Sequence, residues 1–347
     1  PGVPRHMPSG RYISAGLFKE GFNDRKILFF TTNMAEEMYA FSRLEGAVHR
    51  TKGLLWPVRW GVWLRLAVIA LFLGGGLSVP DIFQYQFDGN DFATGTAGSF
   101  SGVAPMVVLG IIAVVLAIAL LWMLVGATLQ FVFVDMLSTG DIHLGRHFRE
   151  RLGKGARLFL FEIALIVVMV LAVAAFVFML IGFEGAGPAV ATSLLIIALI
   201  PAFLVAALLF GLVFLLTTDF VVPIMIREDC GIIAGWRRLI TMIASRFWQT
   251  VVYVIVRFVL GLVAAIAQVI LAILALVVIA IPFILVGIVL LAALQENIVL
   301  LLALVIPYLI IAIPVALLIA VPFITYFRYY ALLVLEGLEP EYRLLPE

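Results

Sequence analysis

The chain alternates long apolar runs with short polar connections, and the runs are long enough to set the fold class. A helix rises 1.5 Å per residue, so ~20 apolar residues are needed to cross ~30 Å of hydrocarbon. Six runs reach that length, over 60–79, 103–134, 158–182, 189–216, 251–294 and 298–327. The connections between them sort by charge. Beyond residue 33, every Lys and Arg falls in 43–65, 146–157, 227–257 or 328–343. The connection 80–102 carries Asp81, Asp88 and Asp91 without a basic residue, 183–188 carries only Glu184, and Gln295, Glu296 and Asn297 form a third connection without one. Basic connections stay on the cytoplasmic side of a membrane. The pattern predicts an all-α, polytopic integral membrane helical bundle with six transmembrane helices, multi-pass in the cytoplasmic membrane, with both termini in the cytoplasm.

The fifth run is the exception in length. As one helix, 251–294 would extend ~66 Å, about twice the hydrocarbon thickness, and Pro282 offers a place to kink or divide it. A seven-span alternative that turns at Pro282 and again at Pro307 buries Gln295, Glu296 and Asn297 near mid-membrane. It also moves Arg328 to the wrong side of the charge rule, so six spans are favoured. Self-comparison points the same way. The stretch 141–145 followed by basic residues to Arg157 has the layout of 231–235 followed by basic residues to Arg246, and Trp56 with Arg65 matches Trp248 with Arg257 at the same spacing. We read three copies of one unit, each a basic amphipathic cytoplasmic helix followed by a transmembrane hairpin, over about 34–134, 135–226 and 227–330. A hairpin returns to the side it left, so the repeats are parallel.

Composition agrees and narrows the function classes. Hydrophobic residues are 65% of the chain and charged residues 12%, against roughly 45–50% and about 25% in soluble domains. The net charge of +1 averages a basic side and an acidic-to-neutral side, so it implies no nucleic-acid partner. The single cysteine, Cys230, excludes an internal disulfide and a Cys-based zinc site. Residues 1–33 hold no run of spanning length and read either as an extension upstream of a natural start at Met34 or as a disordered cytoplasmic tail. The remainder, 34–345, reads as a single membrane domain.

Candidate chemistry is sparse. The basic segments interleave Arg146, Arg149, Arg151 and Lys154, and then Trp236, Arg237, Arg238 and Arg246, with apolar residues at helical spacing. Such helices lie in the interface with cations toward anionic headgroups, which makes these eight residues a candidate lipid or partner surface. The plainer reading is that they only anchor the hairpins. His143 and His147 have the spacing of a metal pair, but no Glu lies between them and Gly145 weakens the helix, so a solvated pair is expected and no metal or cofactor is assigned. Charge in hydrocarbon is costly and usually paired. Arg65, Asp135, Glu162, Asp219 and Arg257 are therefore expected to form an inner-leaflet ionic layer, with Glu162 on Arg257 and with Asp219 or Asp135 on Arg65. Beyond it polar residues are scattered, such as Gln130, Gln268, Thr128 and Ser193, and no continuous polar route is visible. Prolines 201, 223, 282, 307, 314 and 322 interrupt the later spans.

The runs Arg50-Thr51-Lys52-Gly53-Leu54-Leu55-Trp56-Pro57, Glu228-Asp229-Cys230-Gly231 with Ala234-Gly235-Trp236-Arg237-Arg238, and Tyr326-Phe327-Arg328-Tyr329-Tyr330 resemble an archaeal family of multi-span membrane proteins of unknown function, found in haloarchaea and methanogens. Some of its relatives are loosely akin to the membrane domain attached to glycerophosphodiester phosphodiesterases. The resemblance covers 34 to about 345 and implies an archaeal cytoplasmic membrane protein; it brings no active site. The functional expectation is a protein without catalytic activity, a scaffold or accessory subunit that engages membrane lipids or a membrane or cytoplasmic protein partner through its basic helices. The alternative is a small-solute or ion transporter with a site near the inner leaflet.

Overall fold

A computed structural model describes residues 39–74, 105–140, 144–183, 189–294 and 298–346. The N-terminal extension 1–33, the acidic connection 80–102, the turns at 184–188 and 295–297, and Asp141 with His143 lie outside the described residues. Regular structure among the described residues is helical: α1 (Tyr39–Leu55), α2 (Trp60–Phe72), α3 (Pro105–Thr139), α4 (Leu144–Phe183), α5 (Ala189–Leu216), a π turn (Thr217–Val221), α6 (Val222–Arg227), α7 (Ile232–Ser245), α8 (Phe247–Leu294), α9 (Ile298–Leu338) and a closing 3-10 turn (Pro340–Tyr342). Five of the helical stretches are long and apolar enough to cross a membrane: Leu109–Thr139, Leu144–Met179, Leu199–Arg227, Phe247–Val289 and Ala303–Leu338. The first expected span is represented by α2, an apolar helix of 13 residues, and the rest of that run lies outside the described residues.

Two expectations change, on the basic segment and on the prolines, and one open point, the course of run 251–294, is decided. The basic segment 145–157 is not a separate amphipathic helix, because it forms the first turns of the 40-residue α4. No proline lies between 144 and 183 to stop the helix, and its apolar stripe simply widens once the basic residues end. Run 251–294 is not divided at Pro282, since α8 continues through it for 48 residues, ~72 Å of helix. The other prolines do not interrupt spans either. Pro201 lies inside α5, and Pro307, Pro314 and Pro322 inside α9, as neighbouring helices and local adjustments allow in apolar surroundings. Only Pro223 coincides with a change of helix geometry.

α9 packs on α8, α1 and α2, α3 packs on α4 and α2, and α7 lies across the π turn and α6. The buried core gathers at the end of the molecule that carries the basic residues. It is built from Phe131 and Phe133 of α3, Phe220 and Met225 around the π turn, Leu239 of α7, Tyr253 of α8 and Tyr330 and Leu335 of α9. Toward the opposite end the long helices are apolar around most of their circumference and yet exposed, as at Ile111, Val168, Leu171, Leu204, Leu208, Ile270 and Ile284. A helix that is hydrophobic all round belongs in a protein core or in lipid. Two glycines allow the close crossings of the core. A Cβ on Gly155 of α4 would lie 2.7 Å from Thr128 Cα of α3, and one on Gly235 of α7 would lie 2.9 Å from Val221 Cγ1.

Candidate functional site

The site begins with Pro223. A proline inside a helix removes one backbone N–H and crowds the carbonyl four residues earlier, and here the chain widens into the π turn Thr217–Val221 immediately before it. In that turn the N–H of Val222 donates to the Thr217 carbonyl, five residues back. The next bond in the same register needs an N–H at position 223, which proline lacks. The Thr218 carbonyl is thereby left open, and Arg328 Nη1 of α9 donates to it at 2.6 Å. π turns of this kind recur at functional sites.

The same turn holds Asp219, which is buried. Its Oδ2 accepts from the Tyr253 hydroxyl at 2.8 Å and from Arg257 Nε at 3.2 Å, both on α8. The Arg257 guanidinium lies over the Phe327 ring at 3.9 Å from its centroid. Glu162 of α4 is buried and its Oε1 accepts from Gln130 Nε2 of α3 at 3.2 Å, while Gln130 Oε1 is buried with no partner. Arg328 differs from Arg257. It is 7% exposed, no carboxylate among the described residues lies within ion-pair distance of it, and besides its bond to Thr218 it lies over the Phe133 ring, 5.6 Å from centroid to guanidinium carbon. A buried cation with one neutral acceptor has given up hydration that a single carbonyl and a ring restore only in part.

These groups line one cavity of about 480 Å³. Its floor, toward the basic end, is Gln130, Glu162, Thr218, Asp219, Arg257 and Arg328; its walls, toward the opposite end, include Phe72, Trp122, Ile166, Phe214 and Ile324. The volume falls in the range of small-molecule sites, roughly 300–1,000 Å³. Beyond the floor the helices carry no charged residue. From Glu162 to Phe183 is ~31 Å and from Gln130 back to Pro105 is ~38 Å of helix, each enough for a hydrocarbon core.

Residues 38–345 match a family model described as a family of unknown function, DUF7544. The chain belongs to the DUF7544 family. No curated protein and no solved structure matches it. Within this DUF7544 chain, the expected ionic layer is assembled with other partners. Arg257 pairs with Asp219 and not with Glu162; Asp135 pairs with Arg151 through two hydrogen bonds of 2.6 and 3.1 Å and not with Arg65; Arg65 is exposed and does not line the cavity. The reason is helix phase. Asp219 and Arg257 face each other across the π turn, whereas Glu162 is turned toward α3.

The candidate surface is divided between internal and exposed residues. Lys154 Nζ donates to the Met225 carbonyl at 2.8 Å and pairs with Asp229 at 2.6 Å, closing the C-terminal end of α6. Arg246 Nη1 donates to the Gly337 carbonyl at the end of α9, Arg238 pairs with Glu228, and the Tyr342 hydroxyl donates to the same carboxylate. Trp236 is half-buried, packed toward Phe161, with its indole N–H buried and unpartnered. Arg149 and Arg237 are exposed, and Arg146 forms an exposed pair with Glu150. His147 is buried and not solvated, and no metal-holding group of His, Cys, Asp and Glu occurs among the described residues. Outside the apolar lengths, Lys154 beside Asp229 holds that carboxyl below its usual range, and burial, then Glu228, pushes the Cys230 thiol up. Sequence reasoning missed Arg328 as a site residue because it reads as a boundary charge. The available signal was Pro223, whose missing N–H requires an external donor for one carbonyl.

Proposed function

We propose that this is a non-catalytic integral membrane protein, a scaffold or accessory subunit with six spans arranged as three parallel hairpins, both termini in the cytoplasm, and a cytoplasmic base that holds lipid or a protein partner. Its archaeal origin and kinship with phosphodiesterase-linked membrane domains belong to the same proposal. The observation that carries the reading is that the consolidated core and the exposed basic residues Arg149 and Arg237 share one end, while the apolar helices leave that end exposed along their length. Exposed Trp56 after α1 and Trp60, Phe247 and Trp248 at the starts of α2 and α8 supply the aromatic belt of an interface. The test is mass spectrometry of protein purified gently from membranes, wild type beside Arg149→Glu/Arg237→Glu. A stoichiometric protein partner or retained anionic lipid that the double variant loses is expected. A monodisperse wild-type protein carrying neither would sink the reading.

A second reading, transport of a small solute or ion, is favoured by the cavity at the Asp219–Arg257 pair. It requires a hydrated route from that cavity toward the opposite end. Labelling of Val115→Cys, two turns beyond the cavity residue Trp122 on the same face of α3, by a water-soluble thiol reagent in a Cys230→Ser background would reveal such a route; absence of labelling is the outcome expected for a scaffold.

A further inference from the structure

We propose that the cavity above Arg328 binds the anionic head of a membrane lipid from the leaflet nearest the basic residues. This goes beyond the scaffold reading, which concerns the exposed basic face, and it does not depend on a protein partner.

The argument rests on how the cavity is built. Arg328 is buried and has no carboxylate within ion-pair distance among the described residues; a single backbone carbonyl accepts from one of its five N–H donors. Asp219 bonds directly to Arg257 and acts on Arg328 only from longer range, and Glu162 is held by Gln130, so the cation with room for a directly bound anion is Arg328. A guanidinium presents a planar fork that matches an oxyanion such as a phosphate. The second observation is Gln130 Oε1, a buried acceptor with no partner on the cavity floor. It calls for a donor, and a headgroup hydroxyl beside the phosphate supplies one once the Gln130 amide turns toward the cavity. The walls then decide between a free oxyanion and a lipid. Phe72, Trp122, Ile166 and Phe214 rise from the charged floor away from the basic end and merge with helix surfaces that are themselves exposed and apolar, as at Leu121 and Leu209. A head on the floor and chains along these walls is the orientation of a lipid in the leaflet next to the basic residues. The volume of about 480 Å³ admits a headgroup and the start of its chains, and the rest of the chains lie on exposed helix.

The experiment uses the full chain in a neutral detergent, titrated with phosphatidylglycerol, with phosphatidylcholine of the same chains, and with inorganic phosphate, and read by native mass spectrometry. Wild type is expected to retain one phosphatidylglycerol at least tenfold more tightly than phosphatidylcholine. Arg328→Gln should abolish the preference, and Arg328→Lys, which keeps the charge without the fork, should weaken it. Because Arg328 also donates to Thr218, a second variant avoids the polar network: Ile166→Trp fills the wall from an exposed position and should reduce retention while thermal stability stays at the wild-type value. Equal retention of the two lipids by wild type, or undiminished preference in both Arg328→Gln and Ile166→Trp, would overturn the proposal. Tight binding of inorganic phosphate without a preference for the anionic lipid would overturn the lipid as its source.

Discussion

Replacing Arg257 with Met tests the central ion pair. Asp219 is 5% exposed and the Arg257 side chain 18% exposed, so solvent screens the pair little. Breaking a buried pair by removing one partner costs about 3–5 kcal/mol because the other charge is left uncompensated. The Tyr253 hydroxyl stays on Asp219 Oδ2, which places Arg257→Met at the lower end, ~3 kcal/mol. Asp219→Leu alone should cost a similar amount, since Arg257 then keeps only the neutral Tyr253 hydroxyl and the Phe327 ring beside it. The double variant leaves neither charge behind, and its loss should fall short of the summed single losses by at least ~2 kcal/mol, as contacting residues in one network do. Unfolding in mixed micelles, followed by circular dichroism as a denaturing detergent is added, measures all four proteins. Single losses that add within ~0.5 kcal/mol would refute the pairing. As a control, Glu162→Gln in the Arg257→Met background should be additive, whereas the pairing expected from sequence requires coupling there.

Gly155→Ala should destabilise by ~2 kcal/mol in the same assay, because the new Cβ meets the Thr128 backbone and not only a movable side chain; Thr128→Ala should therefore fail to rescue it. Lys154→Met should lower thermal stability at neutral pH, and the gap from wild type should begin to narrow only as pH falls below about 4. The Asp229 carboxyl is depressed in the folded protein, so its contribution is present above the unfolded value of about 3.9 and is lost as pH drops through the folded one. The gap should not close, since the bond from Lys154 to the Met225 carbonyl does not titrate; a gap constant from pH about 7 to about 3 would contradict the assignment. Cys230, between α6 and α7, should react with a membrane-impermeant maleimide in inverted vesicles and not in right-side-out ones, and at pH about 8 more slowly than an exposed reference cysteine, because burial raises its thiol and leaves less thiolate. The reverse sidedness would invert the proposed orientation.

The apolar lengths were legible because membrane helices announce themselves one residue at a time: a stretch such as 258–294 carries no charge and needs no partner to be read. What sequence could not supply was phase. Glu162, Asp219 and Arg257 all belong to the polar layer, but which carboxylate meets the arginine depends on rotation about helices that a π turn at Thr217–Val221 locally resets. The amphipathic spacing of the basic residues points to a surface. Lys154 and Arg246 instead spend their charge on carbonyls at the ends of α6 and α9, an outcome fixed by the distance between chain ends and not by any periodicity. The proline signals failed for the opposite reason, since a proline breaks a helix only where water or a turn offers the freed carbonyl somewhere to go, and Pro282 and Pro314 lie in helices that continue.

The location of the tight packing has a mechanical consequence. Phe220, Tyr253 and Tyr330 stack in succession at the basic end, with Phe131 in the same buried core, so the cohesion of the molecule is concentrated at one end of the long helices, which in the proposed orientation is the end next to the cytoplasm. Urea acts on surface that unfolding brings into contact with water. The base should therefore melt while each apolar hairpin remains inserted, giving loss of structure in two stages and not a single cooperative collapse. Between those stages the protein would persist as separate anchors, able to close again on the same base when the denaturant is withdrawn.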